Sequence, residues 1–222
     1  MSSRKVLIVE DEPFLCDAYK LVFKQIKEVN KNFDFKIDVC NTLDKAKELI
    51  ILNNNPYTIA IIDIRLRDVK KASLICGDYL GQQIRQRSLD TKIIFVTSVV
   101  DNYMFYKVFK KISPEGFMIK SEINYDTFKK DLLLILQNKN RYTESVLSFI
   151  KNEMQSKSSL DDIDREILFH LSNGAQLNNL SKYVPLSLSG IERRKRKIAE
   201  KLGLKKANVQ FILEKASEYN LV

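Results

Sequence analysis

Four short apolar segments in the N-terminal half of the chain each end at a polar or charged residue. In chain order, these end residues are Glu10 with Asp11, Asp63, Thr97 and Lys120. If the segments are parallel strands, their carboxyl ends lie at the same edge of a sheet, where open α/β sheets bind their ligands. Three carboxylates, one hydroxyl and one ammonium group at a single point indicate a divalent-metal site beside an acceptor for a phosphoryl group.

The residue types fit both parts of such a site. Mg²⁺ prefers hard oxygen ligands, which Glu10, Asp11 and Asp63 would supply, and a carboxylate can also attack a phosphorus centre. A bound metal and Lys120 would offset the negative charge between the nucleophile and the phosphoryl oxygens, and Thr97 can donate a hydrogen bond to one of those oxygens. The alternative for any single residue is a strand-end side chain satisfied by a loop amide. Four strand ends in this order favour the functional interpretation.

The elements that must position these residues alternate between strand-like and helix-like segments up to about residue 138. The predicted strands are Lys5–Val9, Lys36–Cys40, Ile59–Asp63, Lys92–Thr97 and Gly116–Ile119. The predicted helices are Pro13–Val29, Leu43–Leu52, Asp78–Arg87, Asn102–Ile112 and Tyr125–Gln137. Continuous apolar strands that alternate with amphipathic helices are typical of a parallel sheet covered on both faces. Residues 1–138 are therefore predicted to form an α/β domain with a five-stranded, parallel, doubly wound sheet of the flavodoxin-like kind.

After residue 138 the sequence has only helical patterns. Residues 139–159 are predicted to be a helical linker, with an amphipathic helix at Thr143–Gln155 and a break at residues 156–159. Residues 160–222 are predicted to form an all-α domain. Its predicted helices are Asp162–Leu171, Leu177–Tyr183, Leu188–Leu202 and Ala207–Tyr219.

The charge of the chain points to a polyanionic partner without identifying one. The formal net charge is +9, and a strong positive charge favours contact with polyanions. The segment between Ser187 and Lys206 holds eight basic residues against Glu192 and Glu200. A helix in this segment can enter the major groove of duplex DNA with its basic groups on the phosphates. A solvated basic helix is the ordinary alternative.

Composition excludes several other classes of protein. No apolar segment approaches the roughly 20 residues that a transmembrane helix needs, and the N-terminus has no signal-peptide profile. The chain is therefore predicted to be cytoplasmic and to have no membrane partner. Cys16, Cys40 and Cys76 are too widely spaced for a metal-binding pair or a disulfide framework. They are interpreted as reduced thiols that contribute to packing.

The ordered set of strand-end residues resembles the receiver domain of two-component response regulators, over about residues 4–138. The resemblance implies that Asp63 accepts a phosphoryl group from the phosphohistidine of a sensor histidine kinase. It also implies that this step depends on Mg²⁺ and that the receiver itself catalyses it. The implied metal ligands are Glu10, Asp11, Asp63 and the backbone carbonyl of Arg65. Thr97 and Lys120 would contact the phosphoryl group, and Thr97 and Phe117 would form the switch that reshapes the neighbouring face.

The chain departs from the receiver pattern in three places. Arg67 stands where the family usually has Pro, four positions after the acceptor. Ser121 follows Lys120, where the family normally has a cis-Pro. The segment Ile64–Cys76 is several residues longer than the usual loop and is rich in basic residues. This segment can approach the phosphorylation site or a partner, or it is a solvated insertion.

Residues 160–222 resemble the four-helix DNA-binding domain of the LuxR/NarL family. The matching features are Asp164-Arg-Glu-Ile-Leu168, Gly174, Ile191, Ile198 and Lys201-Leu-Gly-Leu204. The resemblance implies a scaffold helix at Leu177–Tyr183 and a recognition helix at Leu188–Leu202. The candidate DNA-binding residues are Ser189, Arg193, Arg194, Arg196, Lys197 and Lys201. Pro185 and Gly190 depart from the pattern, since the family often has Gly and Thr at those positions.

Together these features predict a response regulator that acts on transcription and is not an independent enzyme. Phosphorylation of Asp63 would shift an existing equilibrium towards a DNA-competent form. This shift would occur either by release of the helical domain or by formation of a homodimer. The alternative is a signalling adaptor whose helical domain binds protein instead of DNA, with or without phosphorylation.

Overall fold

The computed structural model describes residues 3–52, 56–66, 76–155 and 160–222, without the side chains of Cys76 and Gln155. Most of the basic insertion, residues 67–75, lies outside the described residues, as does the predicted break at residues 156–159. The predicted fold class, an α/β domain followed by an all-α domain, is confirmed.

The first part of the chain alternates strands and helices almost as predicted. Its strands are β1 (Arg4–Val9), β2 (Phe35–Cys40), β3 (Ile59–Asp63), β4 (Lys92–Thr97) and β5 (Gly116–Ile119). Its helices are α1 (Pro13–Val29), α2 (Leu43–Leu52), α3 (Cys76–Arg87), α4 (Asn102–Lys111) and α5 (Tyr125–Leu136). Pro13 lies at the start of α1, where its missing N–H has no helical acceptor to lose. Asn124 and Thr127 form a reciprocal cap at the start of α5, in which the side chain of each accepts a hydrogen bond from the backbone N–H of the other.

The strands form one parallel sheet in the order β2-β1-β3-β4-β5-β6. Every residue of β3 and β5 is buried, and only the first residue of β4 is not. Val6, Ile8, Ile61 and Ile94 pack with α1 and α5 on one face. Continuous burial is expected where helices cover both faces. The apolar core thus fixes the strand ends that carry the polar residues.

The predicted count of five strands was wrong by one. A sixth strand, β6 (Arg141–Tyr142), pairs parallel to β5, with Arg141 opposite Gly116 and Tyr142 opposite Phe117. It lies in the segment predicted to be a helical linker. Two residues of polar or mixed character have no alternating pattern that could reveal a strand. The helix of that segment, α6, begins only at Glu144 and ends at Gln155.

The C-terminal part is helical, as predicted. It contains α7 (Asp162–Ser172), 3₁₀ turns at Leu177–Lys182, α8 (Leu188–Lys201) and α9 (Val209–Glu218). The predicted scaffold helix Leu177–Tyr183 is thus 3₁₀ and not α-helical. This conformation is common in short segments that connect two helices, as this one connects α7 and α8. Ser187 is the N-cap of α8, and its side chain accepts a hydrogen bond from the N–H of Gly190. The buried core of this part includes Ile167, Leu180, Ile191, Ile198 and Ile212.

The chain divides into two compact units. Unit 1 comprises the residues up to Val100 together with Lys107–Leu147, and unit 2 comprises Asp101–Tyr106 together with Ser148–Val222. Helices α4 and α6 therefore each contribute residues to both units. Among the described residues, no helix is long and apolar enough to cross a membrane.

Candidate functional site

The strand register brings the predicted site residues to one edge of the sheet in unit 1. Val9 lies opposite Ile62, so Glu10 follows beside Asp63 at the ends of β1 and β3. Thr97 lies opposite Ile119, so Lys120 follows β5 immediately beyond the end of β4. Because four adjacent parallel strands end together, residues that are far apart in sequence meet at one point.

Lys120 lies at the centre of the cluster. Its Nζ is 2.8 Å from Asp63 Oδ2, 2.9 Å from Glu10 Oε2 and 3.9 Å from Glu12 Oε1. The other oxygen of Asp63, Oδ1, accepts a hydrogen bond of 2.9 Å from the N–H of Arg65. Asp63 and Glu10 are almost completely buried, at 5% and 1% exposure. The side chain of Lys120 thus sits between two acids that are largely removed from water.

Burial and mutual repulsion perturb the charges of this cluster. The pKa of Glu10 is raised mainly because burial disfavours its charged form; the hydrogen bond from Lys120 opposes this effect, and the negative charge of Asp63 adds to it. Burial by itself lowers the pKa of Lys120, but its hydrogen bonds to Asp63 and Glu10 outweigh burial and raise it. The negative charge of the carboxylates therefore exceeds the positive charge of Lys120, and an added cation would reduce the repulsion between the carboxylates.

The acidic side chains fit a hard divalent cation. One carboxylate oxygen from each of Glu10, Asp11 and Asp63 lies within 4.8 Å of the others. Their oxygens are the donor type that Mg²⁺ prefers, and Asp11 is only half-buried, which leaves room for the waters that this ion usually retains. The fourth predicted ligand is the carbonyl of Arg65, a residue whose N–H is held by Asp63. The three carboxylates on this edge therefore suit magnesium in donor type.

The two predicted switch residues are buried. Thr97 has no exposed surface, and its Oγ1 accepts a hydrogen bond of 3.2 Å from the N–H of Val99. The ring of Phe117 is also fully buried and contacts Phe95 and Phe109, with ring centroids 5.7 Å and 5.9 Å away. This bond uses the hydroxyl oxygen of Thr97 only as an acceptor, so the hydroxyl proton can still be donated to another oxygen.

Gly77, which was not among the predicted site residues, lies against the end of β3. Its N–H donates a hydrogen bond of 3.1 Å to the carbonyl of Ile64. A Cβ atom at this position would lie 2.6 Å from Ile64 Cα and 2.7 Å from the carbonyl oxygen of Asp63. Only glycine lets the start of α3 approach the backbone this closely. The single signal in the sequence was a lone glycine near the start of a predicted helix.

Replacing Gly77 by Ala should lower the free energy of unfolding by about 1–3 kcal/mol, the usual cost of overpacking. The atoms in the way are backbone atoms of β3 and its following loop, which cannot move without displacing Asp63. Urea denaturation followed by circular dichroism measures the change. Gly190→Ala is the matched control, because a Cβ there meets only side-chain atoms at 3.4 Å or more. If the two variants are equally stable, the backbone at Asp63 and Ile64 moves away from the added Cβ at little cost, and the prediction is contradicted.

The candidate DNA-binding residues of α8 fall into two groups. Ser189, Arg193, Arg196 and Lys197 are exposed and recur at the i, i+4, i+7 and i+8 spacing of one helix face. Their shared face lies opposite the buried residues Ile191 and Ile198, which pack into the core of unit 2. This group forms a basic surface, with one hydroxyl, that is open to solvent.

The other two candidates hold α8 to α7. Asp164, which is completely buried, accepts hydrogen bonds from Arg194 Nη1 at 3.0 Å and from Lys201 Nζ at 2.6 Å. Arg194 also bonds to Asp161, the N-cap residue of α7. The structure therefore gives Arg194 and Lys201 a role in packing the helix that carries the exposed basic surface. Asp164 was recognised in the sequence only as part of a motif, and its two cationic partners were not foreseen.

Comparisons with known proteins identify the fold. No protein-family model matches the chain, and no curated protein sequence matches it. Solved structures do: RcsB from Salmonella enterica serovar Typhimurium, bound to promoter rprA with the phosphomimetic BeF3⁻, aligns over 97% of this chain and 98% of its own. The TM-score is 0.57 and the identity 18%.

Two further structures give the same result. RcsB response regulator from Salmonella typhimurium covers 98% of this chain and 99% of its own, with a TM-score of 0.55 and 18% identity. A LuxR-family two-component response regulator from Aurantimonas sp. SI85-9A1 covers 70% of this chain and 100% of its own, with a TM-score of 0.52 and 17% identity. The predicted architecture, a receiver-type domain followed by a LuxR/NarL-type helical domain, is therefore confirmed as a fold.

Proposed function

We propose that this chain is a two-component response regulator in which phosphorylation of Asp63 controls the binding of DNA by α8. The observation that carries the proposal is the position of Lys120, whose Nζ lies within 2.9 Å of carboxylate oxygens of both Asp63 and Glu10. A partly buried lysine between a nucleophile and a metal-binding acid suits phosphoryl transfer to a carboxylate, because its positive charge offsets the negative charge of the phosphoryl oxygens. The full-length fold similarity to RcsB, which was solved bound to DNA, adds support.

The transfer uses residues of this chain in distinct roles. An oxygen of Asp63 attacks the phosphorus of a kinase phosphohistidine, the new O–P bond forms, and the P–N bond to the kinase breaks. Lys120 donates hydrogen bonds to the phosphoryl oxygens, and Thr97 donates one through its hydroxyl proton, which the hydrogen bond from Val99 does not use. Glu10, Asp11, Asp63 and the carbonyl of Arg65 would hold Mg²⁺, which would offset the negative charge of both reactants. The chain thus catalyses its own phosphorylation, with the phosphohistidine of the kinase as the phosphoryl donor.

The output is a change in DNA binding. Ser189, Arg193, Arg196 and Lys197 form the surface that enters the groove, where arginine reads base edges and lysine neutralises phosphates. A homodimer formed on phosphorylation would place two such helices on adjacent half-sites. A solved structure of two RcsB dimers bound to two parallel DNAs is consistent with this output.

The test is uptake of a phosphoryl group from a small-molecule phosphodonor, read by intact mass. With Mg²⁺ present we expect one added phosphoryl group, and with the metal chelated we expect none, because the buried carboxylates then repel the incoming anion. Size-exclusion chromatography of the same samples tests for the dimer. Uptake that is equally fast without a divalent cation would contradict the assignment of the acidic cluster as a metal site.

A further inference from the structure

The turn that carries Lys120 has no proline, whereas the receivers that this domain resembles normally have a cis-Pro directly after this lysine. Ser121 follows Lys120, and residues Lys120–Glu122 form a single 3₁₀ turn. No cis peptide bond occurs in the described part of the chain. A turn built from ordinary residues is held in place only by its contacts. The contacts of this turn therefore decide where the ammonium group of Lys120 lies.

The first contact comes from Thr143, the residue after β6. Its Oγ1 accepts a hydrogen bond of 3.1 Å from the N–H of Ile119, the residue directly before Lys120. Its own N–H donates a bond of 3.2 Å to the carbonyl of Phe117, the predicted switch residue. Thr143 is thus bonded to the end of β5 through both its backbone N–H and its hydroxyl. The hydroxyl continues the pairing of the two strands one residue beyond the end of β6.

The second contact joins the far side of the turn to helix α6. The carboxylate of Glu122 accepts a hydrogen bond of 3.1 Å from the N–H of Ser145 and another from its hydroxyl. Ser145 lies in the first turn of α6, whose N–H groups have no partner within the helix. A negative charge at a helix N-terminus is stabilising. Glu122 therefore caps α6 while it anchors the turn two residues after Lys120.

The third contact involves the aromatic residues next to the switch. The ring of Tyr142 in β6 meets Phe109 edge-on, with centroids 5.3 Å apart, and Phe109 stacks on Phe117. The hydroxyl of Tyr142 donates a hydrogen bond of 2.9 Å to the carbonyl of Pro114, just before β5. The segment after α5 is thus bonded to β5 before, at and after the switch residue.

We infer that Thr143, Ser145 and Glu122 form a clamp that positions Lys120 for phosphoryl transfer and couples the acceptor site to α6. The clamp lies wholly within unit 1, and the inference rests on the proposed function of Asp63. When Lys120 turns from Asp63 and Glu10 to a phosphoryl group, its turn moves, and the cap of α6 moves with it. Residues that follow the receiver in sequence therefore act as positioning residues for its chemistry.

The experiment measures the rate of phosphoryl uptake from a small-molecule phosphodonor in full-length variants. Thr143→Val, which removes the hydroxyl but keeps the shape, should slow uptake about tenfold, because small displacements of a catalytic group cost rate. Thr143→Ser restores the hydroxyl and should restore the rate. Glu122→Ala, on the exposed side of the clamp, should slow uptake about threefold. Glu144→Ala is the control for Glu122→Ala, since it removes an exposed acid from the turn of α6 that Glu122 caps.

The two proposals fail in different ways. If the wild type takes up phosphate but Thr143→Val and Glu122→Ala react as fast as Glu144→Ala, the clamp is refuted and Asp63 stands. If the wild type takes up none, both proposals fall. Thermal melts of each variant separate a slowed reaction from unfolding, and Glu122→Ala, a surface change, tests the clamp even if Thr143→Val does not fold. Hydrogen exchange in the first turn of α6 should change on phosphorylation, and unchanged exchange would overturn the coupling.

Discussion

Replacing Asp63 by Asn should abolish uptake of a phosphoryl group while the protein stays folded. The amide of Asn is not a nucleophile. Asp63 is the carboxylate of the cluster that lies at the end of β3, where it accepts a hydrogen bond of 2.8 Å from Lys120. Intact mass after incubation with Mg²⁺ and a phosphodonor should show one added phosphoryl group on the wild type and none on the variant. This is an all-or-none effect, which makes it the most decisive of the predictions.

The matched control is Asp17→Asn on α1, whose side chain is exposed and pairs only with Lys20 among the contacts described for it. This variant should be phosphorylated like the wild type. The stability of Asp63→Asn should stay within about 2 kcal/mol of the wild type, since the loss of an ion pair to Lys120 is partly offset by lower repulsion on Glu10. Phosphorylation of Asp63→Asn at the wild-type rate would place the acceptor elsewhere in the chain.

Reversing the charge of Arg193 and Lys197 together should weaken binding to duplex DNA about 100-fold or more. Both residues are exposed on the same face of α8, so the change replaces two cations facing the phosphates with two anions and disturbs no buried contact. Fluorescence anisotropy with a labelled duplex at several salt concentrations measures both the affinity and its salt dependence. The slope of log K against log salt should fall in magnitude by about two.

The control for this variant carries the same change in net charge on unit 1 and leaves α8 unaltered. Lys31→Glu with Lys36→Glu alters two exposed residues near β2 in unit 1 and should bind DNA nearly as well as the wild type. If both double variants lose affinity equally, binding follows the overall charge and α8 is not a recognition helix. If neither wild type nor variant binds duplex DNA with a salt-dependent affinity, the alternative of a protein-binding adaptor is favoured.

Most of the α/β fold could be predicted because its signals are local. A buried parallel strand is a short apolar run, and the residue that ends it is visible in the sequence, as with Asp63 after Ile59–Ile62 and Lys120 after Phe117–Ile119. The order of such ends along the chain then carries the resemblance to receivers. The exposed face of α8 could be predicted for the same reason, since helical spacing separates Arg193 and Lys197 from Ile191 and Ile198.

The contacts that could not be predicted join residues with no local pattern. β6 has two residues and owes its existence to the open edge of β5. The need for glycine at position 77 comes from the backbone of β3, which approaches it only in the folded chain. Arg194 is as basic as its neighbours, yet Asp164 on another helix holds it. In each case the contacting residue is remote in sequence. Composition and spacing do not specify which remote residue will form the contact.

The sequence by itself determined the order of β1–β5 and the helices between them, the set of reactive side chains at the strand ends and the basic character of α8, because burial and periodicity are written residue by residue. Only the tertiary structure decided how Lys120 is shared between Asp63 and Glu10 and which of the basic residues of α8 are open to solvent. It also decided that Thr143 and Glu122 hold the turn of Lys120. These outcomes depend on distances of a few ångströms between elements, which arise only when the whole core has packed.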